Sequence, residues 1–363
     1  MKKIIWIIGI LIIILGIVLF INNDKQTSFQ NTEKIKIGVI LPQTGGSGTS
    51  GEKIFEGIRL AESQLPKGEV EVIYEDYNSD VVTAVTVAQK LVNTDKVDIL
   101  IGPYGSAEVL AIAPILKDKN IGIFSFSLCV DEFKELDNVF CGYPSASQQL
   151  DTVIPKIKSS GIKTLALVNQ NSVFGLASRD SMKEKANIGG YKVIADELVQ
   201  GNEKDHRTII AKILKEKPDA IFTAQDNPAD ALNFMKQLND LRYEGMRITF
   251  IDVDNKYLKQ FGKAVDGTYA PGIAPSNFSK SFTDAYQKKY NKEPDYLSAS
   301  GYDTFRFVYG YMKSNTKRKS LDTISSYSYK KPAIKDFKYL SNRTVEFAME
   351  LWTAKNMEYV RAE

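Results

Sequence analysis

Gln89-Lys90-Leu91-Val92 followed by Val97-Asp98-Ile99-Leu100, and Ala211-Lys212-Ile213-Leu214 followed by Pro218-Asp219-Ala220-Ile221, share one outline. Each puts the end of a helix and a turn ahead of a short apolar run, the pattern of a strand buried on both faces of a parallel sheet. Working outward, the same strand–helix alternation runs from about Ile35 to Gly102 and again from about Ile162 to Ala224. In the first copy 36–41 is a strand bounded by Pro42, and the helix that starts near Glu52 stops at Pro66. Residues 70–74 form the second strand, Asp80 is an N-cap, and 82–91 are helical. In the second copy 164–168, 191–194 and 220–223 are strands, with helices near 174–187, 205–216 and 228–241. Two similar α/β lobes in one chain leave a cleft between them, and a cleft is where a small ligand is held.

Beyond Pro275 the character changes, because 278–290 and 298–312 are helical with no strand between them and pack on one lobe. Residues 334–337 and 343–352 alternate polar and apolar and read as a terminal hairpin. The expected fold class is α/β: two doubly wound parallel-sheet lobes with a multi-strand hinge. The expected division is 35–148 plus 275–333 for lobe 1, and 149–274 plus 334–363 for lobe 2. At 363 residues the chain is long enough for two cores and additions.

Met1-Lys2-Lys3 precedes an uninterrupted run of apolar residues and glycine from Ile4 to Ile21. At 1.5 Å per residue such a run spans about 27 Å, close to the hydrocarbon thickness of a bilayer. Lysines before it and Asn22-Asn23-Asp24-Lys25 after it place the body of the protein outside the cytoplasm. The segment 1–21 is expected to be an N-terminal signal anchor or a signal peptide. No small-x-small cleavage site and no lipid-accepting cysteine follows it. Residues 22–34 are a polar tether, and the protein is extracytoplasmic, membrane-anchored or, if cleaved, secreted.

The formal charge of +3 on a chain that is 25% charged shows no basic face, so nucleic acid is not expected as a partner. Cys129 and Cys141 both fall on the exported side, where they are either two buried thiols or a disulfide closing a short loop.

Further motifs occur in order: Lys36-Ile37-Gly38-Val39-Ile40-Leu41-Pro42-Gln43-Thr44-Gly45, Glu56-Gly57-Ile58-Arg59-Leu60-Ala61, Tyr74-Glu75-Asp76-Tyr77-Asn78-Ser79-Asp80 and Ile101-Gly102-Pro103-Tyr104-Gly105-Ser106-Ala107. Val173-Phe174-Gly175 and Ala299-Ser300-Gly301-Tyr302-Asp303 follow. With them the chain from residue 35 onward resembles the periplasmic or extracellular solute-binding proteins of the leucine/isoleucine/valine-binding type, which serve ATP-driven (ABC) transporters. That resemblance implies a type I periplasmic-binding-protein-like clamshell that closes on an amino acid or related amide. It also implies no catalysis and no cofactor, with permease subunits of an ABC transporter as partners. An extracellular receptor subunit that signals through a partner is the alternative.

The resemblance places the ligand's headgroup on Ser106 and on Ser127-Leu128-Cys129, where a hydroxyl and backbone N–H groups beside a helix start suit a carboxylate. It places the ligand's ammonium on Asp254, with Asp252 as the competing register, a covering aromatic at Phe174 and a further contact at Asp226. Phe174 also reads as a core residue at a helix start, and Asp226-Asn227-Pro228 as a turn and N-cap. Three departures separate the chain from the family pattern: Phe174 lacks a tyrosine hydroxyl, Leu128-Cys129 replaces small or hydroxylated residues, and Asp226 adds a second acid.

Enzymatic readings are weaker. Gly46-Ser47-Gly48-Thr49-Ser50-Gly51 matches GxGxxG, but Pro42 to Gly45 separate it from the strand where a dinucleotide site needs a tight turn. His206, the one histidine, sits in a polar run and is expected on the surface, so no hydrolytic triad is supported. No HExxH or CxxC motif points to a metal.

Overall fold

The computed structural model describes residues 34–250, 255–273, 275–314 and 321–362. The apolar run 4–21 lies outside them, as do Asp252 and Asp254. Among the described residues no helix is long and apolar enough to cross a membrane.

The first half alternates β1 (Ile35–Leu41), α1 (Gly48–Ser63), β2 (Val70–Asp76), α2 (Val81–Asn93), β3 (Ile99–Ile101), α3 (Ser106–Lys117), β4 (Ile123–Leu128) and β5 (Val139–Tyr143). Its sheet is parallel throughout, in the order β2-β1-β3-β4-β5. Ile37, Val39 and Leu41 of β1 enter one core, while Ile40 joins Leu100 in the core on the opposite face. That two-sided burial is why the strand is an unbroken apolar run.

The second half runs α4 (Ala146–Ser159), β6 (Thr164–Gln170), α5 (Val173–Gly189), β7 (Lys192–Val199), α6 (Arg207–Leu214), β8 (Ala220–Ala224), α7 (Pro228–Asp240), β9 (Met246–Phe250), α8 (Asn255–Phe261) and β10 (Thr268–Gly272). Its parallel strands are ordered β7-β6-β8-β9-β10, the same permutation as in the first sheet. The repeated aspartates do the same work in both. The Asp98 carboxylate accepts from the Lys36 N–H of β1 at 2.8 Å. The Asp219 carboxylate accepts from the N–H groups of Lys163 and Thr164, where β6 begins, at 2.9 Å each.

The C-terminal region departs from expectation. Ile334, Phe337, Tyr339, Val345 and Phe347 are buried in the core of the first sheet, so the chain stays with that lobe well past residue 334. Within this stretch β11 (Lys338–Tyr339) pairs with β12 (Val345–Glu346). The terminal hairpin is instead β13 (Glu350–Lys355) with β14 (Glu358–Arg361), and β13 adds antiparallel to β10. The second sheet is therefore mixed rather than wholly parallel. The alternation read over 343–352 is genuine, but it spans the point at which the chain leaves one core for the other.

Helices α9 (Lys280–Tyr290) and α10 (Tyr296–Ser314) both cover the first sheet. Where α10 meets α1, a Cβ on Gly57 would lie 1.9 Å from the Ser298 carbonyl oxygen, and one on Gly301 would lie 2.4 Å from that of Ile54. Only glycine lets the two backbones approach so closely. Two residues on, the fully buried Asp303 accepts from the Tyr329 hydroxyl at 2.9 Å and from the N–H groups of Ala333 at 2.6 Å and Ile334 at 2.7 Å. Desolvation nonetheless pushes its carboxyl up to about 7. Cys129, just after β4, and Cys141, in β5, form a disulfide.

His206 is buried rather than exposed, edge-on to Phe234 with ring centroids 5.5 Å apart. Its backbone N–H donates to Gln237 Oε1 at 2.7 Å, which draws the start of α6 against α7 and the imidazole inward. Both ring nitrogens lack a hydrogen-bond partner among the described residues. Desolvation lowers its pKa below 6.5, partly offset by Glu203, Asp230 and Asp205.

Two outcomes are expected. Asp303→Ala strands two buried N–H donors, at about 1–3 kcal/mol each, and urea unfolding should report that loss. His206 favours the folded state while neutral, so its contribution is present above the unfolded value of 6.5 and is lost as pH falls below it. Melting temperatures of wild type and His206→Phe should therefore diverge on acidification, with wild type losing more.

Candidate ligand-binding site

Parallel strands joined by helices put successive loops at the carboxyl edge of each sheet, and ligands of such sheets bind there, where the strand order reverses. A cavity of about 340 Å³ is lined from both carboxyl edges, within the usual range for small-molecule sites. The first half contributes Gly46 and Ser47 after β1, Tyr77 and Ser79 after β2, Tyr104 to Glu108 after β3, and Phe126 and Leu128 of β4. The second contributes Gln170 and Phe174 around the β6 turn, Gly201 and Asn202 after β7, Gln225 and Asp226 after β8, and Phe250 of β9. Corresponding loops of the two repeats thus meet across one space.

The glycine-rich loop is held by Asp76, at the end of β2. Its carboxylate accepts from the Gln43 N–H at 2.9 Å, the Thr44 hydroxyl at 2.6 Å and the Asn78 N–H at 2.8 Å. Gly45 adopts φ +80°, and a Cβ there would lie 2.4 Å from the Asn78 carbonyl oxygen. Ser79 completes the clasp by accepting from the Ser47 N–H at 3.0 Å and donating to the Thr44 carbonyl at 3.1 Å.

Ser106 opens α3 and its hydroxyl donates to the Leu128 carbonyl at 3.4 Å. Two residues on, Glu108 is 9% exposed and folds back toward the N-cap Gly105, where a Cβ would lie 2.0 Å from its carboxylate. Burial raises its pKa, and the charges of Asp226 and Asp80 raise it further. Tyr77 is buried beside it, and its hydroxyl accepts from the Tyr104 N–H at 3.3 Å.

Opposite, Asp226 accepts from the Ser172 hydroxyl at 2.7 Å and the Gln170 side-chain amide at 2.8 Å. Its own N–H donates to the Gln170 side-chain oxygen at 3.1 Å. Although its surface is open to the cavity, the surrounding protein withdraws it from bulk water and raises its pKa. Asn227 caps α7 and Pro228 starts it, so the turn reading and the cavity position hold together. Asp230, at the third position of α7, is buried and ion-paired with Lys204.

Ser106, Leu128, Phe174 and Asp226 all line this cavity. Cys129 is not among the lining residues and is committed to the disulfide. Asp254 lies outside the described residues. Sequence reasoning missed Glu108, Tyr77, Tyr104 and Gln225. An acid at the third position after a helix start is an ordinary N-terminal signal, and only the fold turns it toward a cleft. Among the described residues no group of histidine, cysteine and acidic side chains could hold a metal ion.

A family model described as periplasmic binding protein matches residues 34–350. The Leu/Ile/Val-binding protein BraC3 of Rhizobium johnstonii is 24% identical over 268 residues, 70% of this chain and 72% of that protein. The Leu/Ile/Val-binding protein homolog 2 of Brucella abortus is 26% identical over 257 residues, 67% of each chain. In fold, the leucine-binding protein LivK of Thermotoga maritima superposes with a TM-score of 0.84 at 23% identity, over 91% of this chain and 98% of that one. A Rhodopseudomonas palustris solute-binding protein in complex with benzoate gives 0.80 at 21% identity, over 90% and 95%. The match begins just before β1 and ends at the first residue of β13, taking in the parallel strands of both sheets and the cavity between their edges, and the chain belongs to the periplasmic binding protein family, in the type I branch that includes the Leu/Ile/Val-binding proteins.

Proposed function

We propose that this protein is the extracytoplasmic solute-capturing component of an ABC-type uptake system, holding a small polar solute of the amino acid or amide class between its lobes. The observation that carries this reading is a cavity lined by corresponding loops of both repeats. A ligand bridging such loops stabilises a closed arrangement over an open one through its contacts with both lobes. The turning points would be the segments where the chain passes between sheets, near 143–146, 273–277 and 347–350.

Ser106 and the β4 edge around Leu128 would meet the ligand from one lobe, and Phe174 and Asp226 from the other. Asp254 is retained as a further contact on the resemblance alone. The aromatic lining, with Tyr104, Phe126, Phe174 and Phe250, suits an apolar ligand body. A Streptococcus pneumoniae relative of this fold was solved with isoleucine and the Rhodopseudomonas one with benzoate, so the fold takes both aliphatic and aromatic bodies. The apolar run 4–21 would tether the protein at the outer face of a membrane, near its permease partner.

A thermal-shift screen of amino acids, amides, amines and aromatic acids is expected to yield a ligand that raises the melting temperature, since binding to the folded state alone stabilises it. Asp226→Asn and Asp254→Asn should each weaken that ligand by about 1.5–3 kcal/mol in calorimetry, the scale of a hydrogen bond to a charge. Unchanged affinity in either variant removes that residue from the site.

A further inference from the structure

We infer that the cleft selects a cationic ligand, a small amine or amidine without a carboxylate beside it, with Glu108 as acceptor from the first lobe and Asp226 from the second. This rests on the reading that the cleft is the solute site.

The charge of the cavity wall is the first observation. Among the described lining residues the only charged side chains are Glu108, Asp226 and Asp230, and none is basic. Asp230 is neutralised by Lys204, which leaves two carboxylates facing the space without a cation.

The internal repeat supplies the second. Helices α3 and α7 follow equivalent strands, β3 and β8, and each carries an acid at its third position: Glu108 after the N-cap Gly105, and Asp230 after the N-cap Asn227. Two residues in the same structural place have opposite fates. Asp230 is met by a lysine, whereas Glu108, about nine-tenths buried, receives a hydrogen bond only from its own N–H among the described residues. A buried carboxylate left without a counter-ion is costly and is relieved by an incoming cation.

The third concerns what stands at the start of α3. A ligand carboxylate could have used that positive helix end, but the Glu108 carboxylate already lies against Gly105, and the Ser106 hydroxyl is turned to Leu128. A ligand anion there would meet like charge. An ammonium or amidinium would instead meet Glu108 on one side and Asp226 on the other. Each Asp226 oxygen accepts one hydrogen bond from the protein and keeps capacity for the ligand. Phe174 and Tyr104 add aromatic surface suited to a cation.

The test uses the whole chain and three probes of one skeleton: leucinamide as the cation, leucine as the zwitterion and isocaproate as the anion. Putrescine, agmatine, the protein amino acids and benzoate extend the panel. Cationic probes are expected to bind at least about tenfold more tightly than their carboxylate-bearing counterparts, and to weaken as salt is added. Glu108→Gln should remove most of that preference, about tenfold in affinity, without lowering the unliganded melting temperature, because glutamine serves equally at the third helix position and carries no buried charge. Leucine, isocaproate or benzoate binding as tightly as the cations overturns the charge assignment and leaves solute capture standing. Binding by no member of the panel overturns both. Cation binding untouched by Glu108→Gln overturns the role of that residue.

Discussion

Parallel strand pairing is the constraint from which the rest of this molecule follows. Each parallel step requires a crossover, and the handedness of crossovers places the helices on both faces and the functional loops at one edge. With the order 2-1-3-4-5 realised once in β1–β5 and again in β6–β10, each lobe gains a crevice where its second crossover turns back. The cavity sits against both crevices, lined from the loops after β1 and β3 and from those after β6 and β8. Its location needs no feature beyond topology, and its chemistry is set by which residues fill those loops.

Much of this was legible in the residues. Apolar runs such as 36–41 and 164–168 predict two-sided strands, and the Asp98 and Asp219 of the repeated stretch turn out to clamp the first strand of each sheet. Ser106, Leu128, Phe174 and Asp226 were placed at the ligand by the family resemblance, and all four line the cavity. What escaped has a physical reason. The 343–352 alternation says that one face of that stretch is buried, not in which core, and the aromatic cluster around Phe124, Phe307 and Tyr339 claims its first half. His206 carries a polar local context, yet the side-chain oxygen of Gln237, on α7, draws its backbone inward. Neither partner is near in sequence, so no local pattern encodes the contact.

Glu108 is the most instructive omission. At the third position of a helix a glutamate is favourable electrostatics and would attract no notice. Burial changes its meaning: with Asp226 raising its pKa from across the cavity, the same side chain becomes an unfavourable charge awaiting compensation. Asp303 shows the contrasting solution within the same lobe, since three donors meet it and bind the 329–334 segment to α10. One buried acid is satisfied by the fold itself, and the other faces open space.

Duplication makes that contrast interpretable. Glu108 and Asp230 each stand third after an extended N-cap, so their different fates are a difference of chemistry rather than of local backbone. The glycine-rich loop after β1, pinned by Asp76, brings backbone close to the cavity, whereas the turn after β6 presents the ring of Phe174. The acid at the third helix position is ion-paired in the second repeat and, among the described residues, has no counter-ion in the first. A ligand held between such walls meets backbone and a buried carboxylate from one side, and an aromatic face and the oriented Asp226 from the other. An asymmetric, positively charged small molecule satisfies both walls at once, and a carboxylate-bearing one leaves the first wall's charge opposed.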